Sequence, residues 1–192
     1  MLSDPLVAAF LALAFAAFLF QRLLEWERMG GLERRIPRTL SVKVSSVGLK
    51  LVAGIMMLYP LLYLLGSYDL ISGSGLVLRF PGDAIAQSVG IAVMTAGLLL
   101  SLWAIGSASG DRPGWGGPYH YLRQPICLGT CLMAVGLIAT TLYAPAALVL
   151  LVIPGQVQRS RTEERVFMQQ YGEVYRSKVQ DLPMFLPRMK RL

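Results

Sequence analysis

Charge is what this sequence has least of. Asp, Glu, Lys and Arg make up 15% of its 192 residues, the hydrophobic share is 55%, and the mean hydropathy is +0.55. Soluble domains carry about 25% charged residues, so this chain lacks the charge to cover a water-facing surface. That excludes an ordinary cytosolic enzyme and a disordered tail. Cysteine is scarce too: Cys127 and Cys131 are the only two, too few for a disulfide-stapled secreted module. The single histidine, His120, leaves no histidine network for acid–base chemistry.

What the chain has instead is long apolar stretches. Residues 5–24 are broken only by Gln21 and Arg22 at their end, long enough for a membrane span of about 20 residues. Further stretches cover 44–65, 84–105 and 126–143. After Ala144-Pro145 a short fifth runs to Ile153, where Pro154-Gly155 interrupts it. It crosses a bilayer only if its helix continues into the polar residues beyond. The first stretch reads as a retained span. No Lys or Arg precedes it, and Gln21-Arg22 stands where a signal peptide would carry a small-residue cleavage site. The expected fold is an all-α membrane protein of about five transmembrane helices, with a C-terminal helical hairpin and a cytoplasmic tail helix. It forms one integral-membrane domain over 1–192: three spans in 1–106, then a loop, the hairpin and the tail in 107–192.

The distribution of positive charge gives an orientation. Seven lie at the facing ends of the first two stretches and in the segment joining them: Arg22, Arg28, Arg34, Arg35, Arg38, Lys43 and Lys50. Arg79 alone follows the second stretch, Arg112 and Arg123 follow the third, and the turn at Tyr143-Ala144-Pro145 has none. Eight follow the fifth: Arg159, Arg161, Arg165, Arg176, Lys178, Arg188, Lys190 and Arg191. With five crossings, 17 of the 18 share one side, which the positive-inside rule makes cytoplasmic. The N-terminus is then outside and the C-terminus cytoplasmic. The net charge of +7 becomes a topology signal, helped by anionic headgroups among the membrane lipids. No recognition motif accompanies the basic residues, so nucleic acid is not an expected partner.

Between the stretches, 66–82 is a Gly- and Ser-rich outer connector, with a short interfacial piece at 76–80. Residues 25–43, of mixed charge, read as surface turns. Gly90 and Gly97 are seven apart on the third span, as are Gly129 and Gly136 on the fourth. Two helical turns put each pair on one stripe, where small residues let helices approach. Cys127 and Cys131, four apart on one helix, suit neither a disulfide nor a metal site and read as packing residues. Spans two to four hold almost no charge, only Lys50 near an end and the polar Gln87, which argues against an ion path through the bundle.

Chemistry concentrates in two cytoplasmic segments. The loop 114–125 is dense in Gly, Pro and aromatics, which suits either an interfacial aromatic belt or a backbone path that cradles a ligand. Residues 159–178 read as a helix continuing from the fifth stretch, with Glu163-Glu164 near the membrane exit. The two carboxylates point about 100° apart, so one can face a pocket while the other meets water or an arginine. Arg161 is close enough to pair with Glu164. A cationic loop beside an acidic pair suits a zwitterion.

These segments resemble the integral-membrane methyltransferase family of isoprenylcysteine carboxyl methyltransferases and phospholipid N-methyltransferases. The family's loop reads Gly-x-Tyr-Arg-Tyr-x-Arg-His-Pro-x-Tyr-x-Gly. Two spans follow it, then Arg-x-Glu-Glu, an aromatic-Gly pair with a Tyr three residues on, and a Pro-rich end. Here Gly117, Tyr119, Tyr121, Arg123, Pro125 and Gly129 fit the first block, and Arg161, Glu163, Glu164, Gly172 and Tyr175 the second. The likeness runs from Gly117 onward; the first three spans match only in being spans. Gln124 stands in place of the family's His, Cys127 in place of its Tyr, and His120 in place of its Arg. Gln still hydrogen-bonds but carries no charge.

The resemblance implies methyl transfer from S-adenosyl-L-methionine to a lipidic or prenylated acceptor (a carboxylate, phenol or amine) approaching laterally from lipid. It implies catalytic roles for Arg123, Glu164 and Arg161. The cofactor would meet Gly117, Tyr119, His120, Tyr121, Gln124, Pro125, Cys127, Leu128, Glu163 and Glu164, with no metal. The sequence also admits two alternatives: a non-catalytic membrane scaffold with a degenerate pocket, suggested by Gln124 and Cys127, and a sterol-reductase-like NADPH enzyme.

Overall fold

The computed structural model describes residues 4–35, 40–65, 77–78, 80–108 and 116–185. The fold is all-α. Among the described residues five α-helices follow one another: α1 (Asp4–Arg35), α2 (Leu40–Leu64), α3 (Asp83–Ser107), α4 (Pro125–Thr141) and α5 (Val152–Val179). Two 3₁₀ segments, Gly117–His120 and Ala144–Leu151, flank α4. Three stretches are long and apolar enough to cross a membrane, Pro5–Arg28, Ser46–Leu64 and Asp83–Ser107; α4 is apolar but shorter, at 17 residues.

The core gathers one stripe from each helix. On α1, Val7, Leu11, Ala14 and Phe18 recur at alternating steps of four and three, and they pack with Val52, Met56, Met94, Met133, Leu137 and Val152 from the other helices. The stripe does not stop where the apolar sequence stops. Gln21 and Glu25 continue the same spacing and are also buried. Residues 25–35, expected as surface turns, are therefore the last turns of α1. The cause is partnership: Arg22 pairs with Glu25 one turn on, and Arg28 Nη1 donates to the Gly106 carbonyl at 3.0 Å. That arginine caps the C-terminus of α3, where carbonyls lack helical partners.

α3 and α4 form the closest pair, and glycine is the reason. A Cβ on Gly97 would lie 2.6 Å from the Gly129 carbonyl oxygen, one on Gly129 would lie 2.2 Å from Ser101 Oγ, and one on Gly136 would lie 2.6 Å from Met94 N. Gly90 is equally tight, its Cβ falling 2.5 Å from Thr140 N. Both glycine stripes are packing surfaces, as their spacing suggested. Gln87 is absorbed by the same interface, its Nε2 donating to the Thr140 carbonyl at 3.2 Å.

The hairpin after α4 turns at Leu142, which takes the left-handed conformation at φ 50. Leu78 N–H donates to the Leu142 carbonyl at 2.8 Å, and Val77 bridges Tyr143, so the described end of the outer connector closes over this corner. Most of that connector, 66–76 and 79, lies outside the described residues. The short fifth stretch then gains reach from its geometry. Eight residues of 3₁₀ helix rise about 2.0 Å each, and α5 continues through Pro154-Gly155 into the polar sequence. From Ala144 to Ser160 the axis covers about 30 Å, the thickness of a hydrocarbon core.

Glycine substitutions should separate contact from open space. Gly136→Val should lower stability in detergent by about 1–3 kcal/mol, the usual cost of overpacking. Gly54→Ala, with nothing within 4 Å of the added carbon, should stay within about 0.5 kcal/mol. Thermal unfolding of the two variants side by side checks this.

Candidate functional site

A crevice opens on the side holding Arg123, between the last turns of α1, the start of α4 and the polar half of α5. Its backbone is set first by the 3₁₀ segment Gly117–His120. Gly117 adopts φ 57, and a Cβ there would fall 2.3 Å from Ser107 Oγ and 3.0 Å from Trp103 Nε1. Only glycine suits both the conformation and the space. Side chains of a 3₁₀ helix fan out by about 120° per residue. Pro118 is accordingly buried, Tyr119 turns into the crevice, and His120 points out and is exposed.

Arg123 and Gln124 follow, held by the chain end. Arg123 N–H donates to the Pro183 carbonyl at 3.0 Å and its Nε to the Leu182 carbonyl at 2.5 Å. Gln124 N–H donates to the Met184 carbonyl at 3.3 Å. Pro125 then starts α4, a position where its missing N–H leaves no helical bond unmade.

α5 supplies the opposite wall. Gln156, Ser160, Glu163 and Phe167 share its buried stripe. At Gly172 the helix kinks, with φ 50 and ψ −127. The kink returns Tyr175 and Val179 to the crevice, where the Phe167 and Tyr175 rings lie 5.6 Å apart at 46°. Such tilted pairs are a favourable aromatic geometry.

The charges form two neighbouring sets. Arg159 Nε lies 3.0 Å from Glu163 Oε1, and its Nη2 lies 3.3 Å from Glu25 Oε1, contributed by α1. Arg22 pairs with the other Glu25 oxygen. Beside this set, Arg123 Nη1 lies 3.9 Å from Glu164 Oε1. The two adjacent glutamates thus divide: Glu163 is buried in the crevice wall, while Glu164 is half-buried and faces Arg123. Burial pushes the Tyr119 and Tyr175 phenols well above their ordinary range, with carboxylates nearby adding to the shift, so both stay protonated donors. Burial also raises the Glu164 carboxyl, and the charges of Arg123 and Arg161 pull it part of the way back.

The cavity itself measures about 50 Å³, room for a few waters, and it opens into a crevice of about 750 Å³ with the solvent mouth included. The structure brings together Tyr119, Arg123, Gln124, Cys127 and Glu163 on its lining, with Glu164 against Arg123. It does not bring in His120 or Tyr121, both exposed, nor exposed Arg161, which acts on Glu164 only through its charge. Gly117, Pro125 and Leu128 shape the backbone without lining the cavity. Glu25, Gln156, Arg159, Ser160 and Phe167 line it without having been singled out as site residues. Cys127 and Cys131 are free thiols, the first on the crevice wall. Trp115 lies outside the described residues. No protein-family model matches the chain, and no curated protein matches it.

Because the folded-state value of Glu164 is raised, the folded chain binds its proton more tightly than the unfolded chain does. Its contribution to stability is full below the unfolded value and lost as pH rises through the folded one. Glu164→Gln should therefore raise the unfolding temperature at pH 8, and the gain should vanish as pH falls through that window. A lower unfolding temperature at pH 8 would mean that the Arg123 pair outweighs burial.

Proposed function

We propose that this chain is a membrane-embedded methyltransferase that uses S-adenosyl-L-methionine and a lipidic or prenylated acceptor at the cytoplasmic interface. One observation carries the reading. Two segments far apart in sequence, at Arg123 and at Glu163-Glu164, meet at one crevice beside an aromatic wall. That is the pairing the resemblance to isoprenylcysteine and phospholipid methyltransferases leads one to expect. The topology proposed with it has five crossings, the N-terminus outside and the C-terminus cytoplasmic.

The donor set fits an amino-acid-bearing nucleoside. Arg123 gives its Nε to the Leu182 carbonyl and faces Glu164 with Nη1 at 3.9 Å, which leaves Nη2 for a carboxylate. Glu163 and Glu164 are the anionic partners for an ammonium or for ribose hydroxyls. Tyr119, protonated at neutral pH, donates one hydrogen bond. Phe167 and Tyr175 form a face on which a purine can stack. Gln124 Nε2 makes a long hydrogen bond to the Ser160 carbonyl at 3.5 Å, which leaves Gln124 Oε1 as an acceptor.

The chemistry that S-adenosylmethionine supplies when bound is an already activated methyl group, so the protein's part is position and electrostatics. An exposed His120 is compatible with that division, because no imidazole base is required. An acceptor with a greasy tail explains why such a site sits at the end of a helical bundle: its tail stays in lipid while its polar end reaches the crevice.

A second reading is favoured by the small size of the cavity and by Gln124, whose amide already engages Ser160. It is a non-catalytic membrane scaffold that keeps the fold. Titration calorimetry on protein purified in detergent separates the two. Wild type should bind S-adenosylhomocysteine, and Arg123→Ala should weaken binding about tenfold or more, as for loss of a charged hydrogen bond. No heat at millimolar ligand would leave the scaffold reading, and a response to NADPH instead would point to a reductase.

A further inference from the structure

The crevice contains one charged group that the methyltransferase-like segments do not supply. Glu25 belongs to α1, 134 residues from the Arg159 it meets. It is 3% exposed and lines the same cavity as Glu163. A carboxylate this buried is tolerated only when its oxygens are engaged. Both are: Oε1 faces Arg159 Nη2 at 3.3 Å, and Oε2 pairs with Arg22.

The geometry of Arg159 gives the pair a purpose. Its guanidinium is planar and rigid, so holding one nitrogen orients the others. With Nη2 fixed by Glu25, Nε is directed to Glu163 Oε1 at 3.0 Å. An ion pair one helical turn apart is weak by itself, and Glu25 adds a tether to Arg159 from a second helix. Glu25 also adds its charge to the Tyr119 phenol, which places it near the loop side of the crevice.

We infer that Glu25 is a positioning residue: from α1 it fixes Arg159, and through Arg159 it fixes the Glu163 carboxylate in the ligand crevice. The site is then completed by the N-terminal helix rather than built from the C-terminal segments alone. This rests on the reading of the crevice as the cofactor site.

The test is a double-mutant cycle on S-adenosylhomocysteine affinity, measured by calorimetry with wild type, Glu25→Gln, Glu163→Gln and the double variant. Glu25→Gln should weaken binding about tenfold, and the double variant should bind no more weakly than Glu163→Gln, because Glu25 acts through Glu163. Should Glu25→Gln fail to fold, Glu25→Asp takes its place in the cycle; it keeps the charge but shortens the reach to Arg159. Wild-type affinity in the Glu25 variant would overturn the inference, as would a double variant whose loss is the product of the single losses. Absence of binding by wild type would overturn the cofactor reading itself, and this inference with it.

Discussion

The backbone contact between α3 and α4 is the constraint on which the rest of the structure depends. In lipid, apolar side chains gain nothing by leaving the acyl chains, so helices associate through close packing of small residues. Gly90, Gly97, Gly129 and Gly136 provide that packing, and each lacks room for even a single added carbon. Once α4 is locked to α3, both its ends are fixed. On one side Leu142 turns the chain into the hairpin. On the other, Gly117 wedges against Trp103 and Ser107 of α3, so Arg123 emerges at a defined place.

A second constraint acts where the helices end. Charges that are neither in water nor in lipid must find each other, since an unpaired buried charge costs several kcal/mol. Arg22, Glu25, Arg159 and Glu163 answer this by forming one chain of pairs across α1 and α5. The pair of Glu173 with Arg176 is the contrast. Its side chains are 86% and 67% exposed, and such a pair contributes little. Buried ion pairs are poor stabilisers compared with apolar packing, and three members of this network, Glu25, Arg159 and Glu163, line the crevice.

Much of this could be read from residue order alone. The apolar stretches located the helices, the seven-residue glycine spacing marked one packing stripe on each of α3 and α4, and the two motif blocks fell on opposite walls of one crevice. Composition misled at residues 25–35. Mixed charges suggested surface turns, yet the stripe through Val7, Leu11, Ala14, Phe18, Gln21 and Glu25 keeps its spacing past the apolar boundary. Following that spacing would have placed Glu25 inside. The same kind of stripe on α5, through Gln156, Ser160, Glu163 and Phe167, distinguishes Glu163 from Glu164. The pairing of Arg159 with α1 has no local signal, because it depends on how two distant helices meet. Nor did the loop's composition reveal that its 3₁₀ turn would send Tyr119 inward and His120 outward.

The proposed function requires one crevice, walled by the Tyr119 loop and by α5, to receive the amino-acid end and the nucleoside of a single ligand. The most direct measurement is an experimental structure of the protein in detergent or nanodisc with S-adenosylhomocysteine. The account predicts ligand density between Tyr119 and the Phe167–Tyr175 wall, with the ligand carboxylate toward Arg123. Density at any other place on the protein, or a crevice filled by side chains at saturating ligand, would contradict it.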